Sequence, residues 1–262
     1  MNRSISTPAI VLSLKPSGEN NSIVTLLTEA SGITYATLYG GPKSKMKSLV
    51  AQWNSGIIYL YDNQEKNQIK INDFDVKNYH SSFAQNLYKS FAASLAAEIA
   101  IKSRCAGSNA ECFKLVSGFF DGMELCTEEQ SKVGLVRFLW RYISLLGIQP
   151  DSSICCKCGT AFLERKFAPE SESYYNNIEN DFVCNQCYGE WYKQPSTQVH
   201  FFPISVEAIR YLSGVTYLTP GESRKLSINK NGYSQIKQIV FHLIEKNIES
   251  KLYTLDAGMG IL

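Results

Sequence analysis

The chain carries almost no excess charge of either sign: 26 Lys and Arg stand against 24 Asp and Glu in 262 residues, for a formal charge of +2. A pull toward nucleic acid or an anionic membrane therefore cannot be argued from the total, and only local clustering supplies one. No stretch approaches 18 consecutive apolar residues, so nothing reads as a membrane span, while the 44% apolar content suffices for one large or two modest cores. Histidine is scarce: His80, His200 and His242 stand apart, with no acid or nucleophile at a telling spacing. Gly-x-Gly-x-x-Gly, Gly-x-Ser-x-Gly and His-Glu-x-x-His are all missing. The nearest phosphate-loop lookalike, Gly40-Gly41-Pro42-Lys43-Ser44, lacks the spaced first glycine, and Pro42 removes a backbone donor. These residues offer no reaction, and no enzyme is expected. Residues 1–7 are polar and the apolar run over 9–14 is too short for an export signal, so a cytoplasmic setting with reduced thiols is expected.

What is present is led by cysteine. Cys155/Cys158 and Cys184/Cys187 form two Cys-x-x-Cys pairs with 25 residues between them. Each pair is a knuckle whose two thiolates point the same way, and two knuckles supply the four ligands of a closed tetrahedral site. One structural zinc ion is the first reading, and iron in a rubredoxin-like site is the alternative that uses similar knuckles. A thioredoxin-like redox site needs one pair after a strand, and disulfides suit an exported chain; neither matches. Cys156 reads as a spare, and Cys105, Cys112 and Cys126 as small hydrophobes in helical stretches. Residues 151–193 hold 4 basic and 7 acidic residues and few aliphatics, so this segment is expected to lack its own core and to need the ion to fold.

The first 80 residues read as strands at 9–14, 22–28, 33–39, 57–61 and 68–71, separated by Gly, Asn, Asp and Ser. Five short strands suggest a small closed barrel of the OB kind. From Ser82 the period changes: Phe83, Leu87, Phe91, Leu95 and Ile99 predict one helix ending near Gly107. Ser108–Glu111 and Thr127–Gln130 have the form of capping boxes, and the second opens a run through Leu135, Leu139, Trp140, Ile143 and Leu146 that stops at Gly147. Helical spacing returns over 206–212 and 233–252, where Ile236, Ile239, Val240, Leu243 and Ile244 make a core stripe. The expectation is an α+β chain: an OB-fold β-barrel over 1–80, then an α-helical domain over 81–262 carrying a four-cysteine zinc knuckle insertion at about 151–193.

No acidic residue occurs between Glu29 and Asp62, and Lys43, Lys45 and Lys47 fall within five positions, near Tyr35, Tyr39 and Trp53. Lysines neutralise phosphates and exposed aromatics stack on unpaired bases, which is a recipe for single-strand binding. A solvated hairpin tip with core aromatics behind it explains the same residues. Asp73 and Asp75 read as a solvated strand face.

Several segments resemble the bacterial recombination mediator RecO. Ile10-Val11-Leu12, Gly18-Glu19, the run Ile23–Thr28 and Gly32 are similar to that family's first two barrel strands, and residues 40–48 to its basic loop. Leu145-Leu146-Gly147-Ile148-Gln149-Pro150 leading into Cys155-x-x-Cys158-Gly159 and later Cys184-x-x-Cys187 is the most specific match. The loop is poorer in Arg than is usual in the family, and the insert is longer, with Glu179-Asn180-Asp181 where a Gly-rich turn often stands.

The resemblance implies a DNA-binding protein of recombinational repair. Such a protein binds single-stranded and duplex DNA, anneals single strands coated by single-stranded DNA-binding protein, and works with RecR to help load RecA. The DNA-binding residues then expected are Lys15, Tyr39, Lys43, Lys45 and Lys47. The dock for the acidic tail of the single-stranded DNA-binding protein is expected at Lys132, Arg137 and Arg141. The setting implied is the cytoplasm, with the nucleoid. The alternative is a zinc-ribbon adaptor that binds only protein partners.

Overall fold

The computed structural model describes residues 3–40, 44–164, 168, 171–192, 200–248 and 250–262. Its first elements are β1 (Arg3–Ser17), β2 (Asn21–Thr28), β3 (Gly32–Leu38), a short helix α1 (Lys45–Leu49), β4 (Ser55–Asn63) and β5 (Gln68–Asn78). The five strands close into a barrel in the order β1-β2-β3-β5-β4, the OB arrangement expected. Neighbours run antiparallel except β3 and β5, which meet in parallel at Thr37↔Lys70. Two-residue alternation sets what faces inward: on β3, Thr34, Ala36 and Leu38 are buried while Ile33, Tyr35 and Thr37 lie on the outer side. Val11, Val24, Leu26, Ala36, Leu38, Ile58, Leu60, Ile71 and Phe74 fill the interior.

β1 serves two neighbours, pairing with β4 from Arg3 to Ile10 and with β2 from Ala9 to Ser17. Its ladder shifts between Val11 and Ser13. There the Val11 N–H donates to the Asn54 carbonyl at 2.9 Å and its carbonyl accepts from the Trp53 N–H at 2.8 Å. Trp53 adopts a φ of 74° to make this reach, and its indole is buried edge-on against Phe120 with centroids 5.5 Å apart. It is therefore a core residue and not a surface for bases. At the same place His80 is buried, with Nδ1 2.7 Å from the Trp53 carbonyl and Nε2 2.9 Å from Asp121 Oδ1. A carbonyl can only accept, so Nδ1 donates to the Trp53 carbonyl.

The single helix expected over 82–107 is three pieces. α2 (Ser82–Gln85) stops at Asn86, whose extended backbone and side-chain oxygen, accepting from the Lys89 N–H at 2.9 Å, start α3 (Leu87–Lys102) afresh. The break rotates the four-residue stripe, so Leu87 is 63% exposed while Ala92, Ala93, Ala96 and Ala100 are buried with Leu95 and Ile99. After α3, Arg104, Cys105 and Ala106 take φ values of 50°, 59° and 50°, a left-handed turn that buries Cys105 outside any α-helix. α4 (Asn109–Glu124) and α5 (Glu128–Leu145) follow. Of the two boxes only the second forms: the Gln130 N–H donates to Thr127 Oγ1 at 3.3 Å and the Thr127 N–H to Gln130 Oε1 at 3.0 Å, whereas the Ser108 side chain makes no cap bond. At the other end of α5, Gly147 holds φ 73°, and the Ile148 N–H donates to the Ile143 carbonyl at 3.2 Å, the αL stop that was expected.

Further on come β6 (Glu172–Asn176), β7 (Asp181–Cys184), α6 (Asn185–Trp191), β8 (Phe201–Ser205), α7 (Val206–Tyr217), α8 (Pro220–Ser223), α9 (Lys230–Asn247) and α10 (Tyr253–Ala257). The chain packs as two compact units, Met1–Phe138 with Ile248–Leu262, and Leu139–Asn247. In the first, α10 returns to α3, where Glu98 accepts from the Tyr253 and Thr254 N–H groups at 2.9 and 2.8 Å. In the second, the α9 stripe of Ile236, Ile239, Val240, Leu243 and Ile244 is buried as expected, although α9 ends at Asn247. The three-stranded sheet β7-β6-β8 reaches beyond residue 193, because β8 pairs with β6. The cysteine segment also differs from expectation in having a core, built from the fully buried rings of Phe162, Tyr175 and Phe182 in place of aliphatics. No helix among the described residues is long and apolar enough to cross a membrane.

The closest backbone approach tests the barrel. A Cβ on Gly56 would lie 2.1 Å from the Asp75 carbonyl oxygen of β5, which cannot swing away as a side chain can. Gly56→Ala is expected to cost about 2–4 kcal/mol, read from urea denaturation; an unchanged midpoint would contradict this strand register.

Candidate metal centre and nucleic-acid interface

The two knuckles meet. The sulfurs of Cys155, Cys158, Cys184 and Cys187 all lie within 4.8 Å of one another, and Cys158 and Cys184 Sγ are 4.0 Å apart. Thiolates at about 2.3 Å from a tetrahedral ion stand about 3.8 Å apart, so the four sulfurs fit one ion. The first knuckle is a tight turn, in which the Gly159 N–H donates to the Cys155 carbonyl at 2.9 Å and Gly159 takes a φ of 68° that favours glycine. The isolated bridge Ile154↔Ala161 closes it. The second knuckle is the junction of β7 with α6: Cys184 is the residue before the helix and Cys187 lies in its first turn.

Polar groups around the sulfurs tune them. The Cys184 N–H donates to Cys155 Sγ at 3.4 Å, and Cys158 Sγ lies 3.3 Å from Thr160 Oγ1. The Thr160 hydroxyl, aided by its N–H, brings the Cys158 thiol down to about 6. Burial pushes the Cys184 and Cys187 thiols up, so these two hold their protons until a cation supplies compensating charge. Cys156 stays outside the cluster, beside Glu179 and Asp181, where partial burial of its sulfur and the Asp181 carboxylate push it up to about 11. The segment is also tied to the helices of its own unit. Arg210 on α7 donates to the Phe162 and Glu164 carbonyls at 2.6 and 3.1 Å, and Asn180 Nδ2 to the Ile148 carbonyl at 2.8 Å.

The barrel presents a second feature. Lys15 pairs with Ile23, Ile23 with Thr37, and Thr37 with Lys70, so one outward row crosses β1, β2, β3 and β5. Tyr35 and Tyr39 share the parity of Thr37 and stand outside the barrel at 58% and 43% exposure. The Tyr39 hydroxyl accepts from Gln68 Nε2 at 2.7 Å, and Lys70 Nζ lies 5.1 Å from its ring centroid. Lys45 opens α1 and is exposed, Lys47 is half-buried on the same helix, and the expected Lys43 lies outside the described residues. What was expected as a loop at 40–48 is thus in part a helix.

Two family models match the chain, the N-terminal part of recombination protein O over residues 1–79 and its C-terminal part over residues 84–256. The chain belongs to the recombination protein O family. Family membership brings DNA recombination, DNA repair and DNA binding with it. No curated protein matches the chain.

Within this family frame, the residues of α5 are occupied by the chain's own groups. Lys132 Nζ pairs with Glu129 at 2.5 Å and Glu128 at 3.4 Å and lies 5.8 Å from the Tyr88 centroid. Arg141 Nη2 donates to the Val215 and Leu218 carbonyls and to Ser223 Oγ, at 3.3, 3.2 and 2.9 Å. Arg137 also has interactions within the chain. Sequence reasoning missed Lys70 and Gln68, since only barrel closure brings β5 beside Tyr39. The parity shared by Tyr35, Thr37 and Tyr39 was the available signal.

Removal of any one sulfur should empty the centre. Cys187→Ser is expected to lose the bound ion and lower the melting midpoint by about 10 °C or more, whereas Cys156→Ser keeps both. Elemental analysis with thermal melts reads the difference, and metal loss from the Cys156 variant would reassign the ligands.

Proposed function

We propose that the chain is a binding protein of recombinational repair that holds single-stranded DNA across the outer row of its barrel, without catalytic turnover. The observation that carries this reading is the line Lys15, Ile23, Thr37, Lys70, with Tyr35 and Tyr39 on the same side and Lys45 and Lys47 on α1. Cations track the phosphates and the two tyrosine faces receive unpaired bases, at about 1–3 kcal/mol for each stacked base. Thr37, Gln68 and the tyrosine hydroxyls add hydrogen-bonding groups of either polarity, which favours a sequence-tolerant grip.

From the resemblance in the sequence come the finer steps. The bound strand is annealed to its complement in the presence of single-stranded DNA-binding protein, RecR joins the complex, and RecA is loaded on the product. Duplex DNA is a further ligand of the same kind. The acidic-tail dock at Lys132, Arg137 and Arg141 has weaker support, because Lys132 must first release Glu128 and Glu129. Zinc is the proposed ion, with a purely structural role, since four thiolates close the coordination sphere and leave no position for a substrate. Cytoplasmic work at the nucleoid follows from the DNA ligand.

The test is binding of labelled oligothymidylate at several salt concentrations. Replacing Lys15, Lys45, Lys47 and Lys70 together by Ala is expected to reduce the slope of log K against log salt by roughly 3, at about 0.7 per lost phosphate contact. Tyr39→Ala should weaken binding about tenfold with the slope unchanged. Salt-insensitive binding, or a chain that captures protein partners while ignoring DNA, would instead favour the adaptor reading.

A further inference from the structure

One buried hydroxyl of the metal-bearing segment is left without a partner. Ser173 on β6 is 1% exposed, and its Oγ has no hydrogen-bond partner among the described residues. Native chains rarely leave the desolvation of such a group uncompensated. The register of the sheet fixes what lies around it: Ser173 stands opposite Cys184 on β7 and opposite Ile204 on β8. Tyr175 and Phe182, the opposed pair two residues along, hold their ring centroids 5.5 Å apart on one face, and Tyr175 stacks on Phe202 of β8. Two-residue alternation puts Ser173, Cys184 and Ile204 on that same face. Ile204 has no polar side-chain atom, and the Tyr175 hydroxyl is engaged with Asn180. The sulfur of Cys184, itself buried, is therefore the acceptor that the strands set beside the hydroxyl.

Backbone hydrogen bonding makes this a close pair. The Cys184 N–H donates to Cys155 Sγ at 3.4 Å, and the Phe182 carbonyl, two residues back, accepts from the Cys156 N–H at 3.0 Å. Both groups point away from β6, so Ser173 and Cys184 form a non-hydrogen-bonded pair, the type whose side chains stand nearest, at about 4.5–5.5 Å between Cβ atoms. Rotation about the Ser173 Cα–Cβ bond from one staggered position to the next swings Oγ toward the sulfur. We propose that Ser173 is a positioning residue of the metal centre, its hydroxyl donating to the Cys184 thiolate when the four cysteines hold an ion. A thiol is a weak acceptor, whereas a metal-bound thiolate is charged, and four of them around one divalent ion leave a net charge of about −2 for donors to meet. Three donors are in place: the Cys184 N–H on Cys155, the Thr160 hydroxyl on Cys158 and the Cys187 N–H on Cys184. Ser173 adds one from the buried side, where solvent does not reach to supply it. This role rests on the four-thiolate reading of the centre and goes beyond it by naming a residue that sets how tightly the ion is held.

The test compares the full chain with its Ser173→Ala variant, each loaded with zinc or with cobalt. A hydroxyl that merely goes unpaired makes Ala neutral or stabilising, because the desolvation penalty disappears. A hydroxyl given to the thiolate makes Ala harmful to the metal. Competition with a chromophoric chelator should then show zinc held about tenfold more weakly in S173A, and the zinc-loaded melting midpoint should fall. In the cobalt-loaded variant the sulfur-to-cobalt charge-transfer band should move to longer wavelength, since a thiolate that loses a donor gives up electron density more easily. A purely structural role leaves that band in place. Zinc held equally by both chains, a raised melting midpoint, or an unmoved cobalt band would each overturn the role of Ser173 while leaving the centre standing. A parent chain that takes up neither metal would overturn both.

Discussion

Barrel closure depends on one thin contact, the parallel pairing of β3 with β5 at Thr37↔Lys70. Five strands leave two edges that must meet, and unpaired edges expose backbone groups that seek any available partner. Closing this seam fixes which outer residues become neighbours across the barrel. Lys70, far from Tyr39 in sequence, comes to lie over its ring, and Gln68 reaches its hydroxyl. The candidate nucleic-acid face is thus a consequence of how the sheet closes, with α1 adding Lys45 and Lys47 to the strand residues.

The Leu139–Asn247 unit rests on a different constraint. Two knuckles of unlike construction, a glycine turn at Cys155–Gly159 and a strand-to-helix junction at Cys184–Cys187, bring four sulfurs within reach of one ion. The buried rings of Phe162, Tyr175 and Phe182 and the hydrogen bonds from Arg210 and Asn180 hold the segment against its own unit. An aromatic core therefore orders a stretch with few aliphatics, beside four sulfurs spaced to hold one ion.

Much of this could be read in the amino acids because the signals are local. The convergence of four sulfurs follows from two Cys-x-x-Cys pairs, the α5 start from Thr127 and Gln130, its stop from Gly147, and the α9 core stripe from a repeat of three and four residues. Where reading failed, the cause was a competing local choice or a distant neighbour. Asn86 caps a new helix inside what looks like one continuous stripe, and Arg104 to Ala106 take left-handed conformations that side chains of their type disfavour. Trp53, next to the lysines in sequence, turns inward because its backbone is engaged by Val11 and its ring by Phe120. Arg141 has the composition of a free basic rim and instead ties α5 to the end of α7 and to Ser223.

By itself, then, the sequence determined the five strands, the change to helices after them, the four cysteines that converge and the kinship with recombination protein O. Those properties live in spacing, period and residue type, which are written within a few turns or one strand pair. Only the tertiary structure decided which lysines and tyrosines share a face, which basic residues were already satisfied, and that the metal segment owns an aromatic core. Such outcomes depend on contacts between residues dozens of positions apart, and the free energy that selects them comes from packing and barrel closure, which no short window of sequence contains.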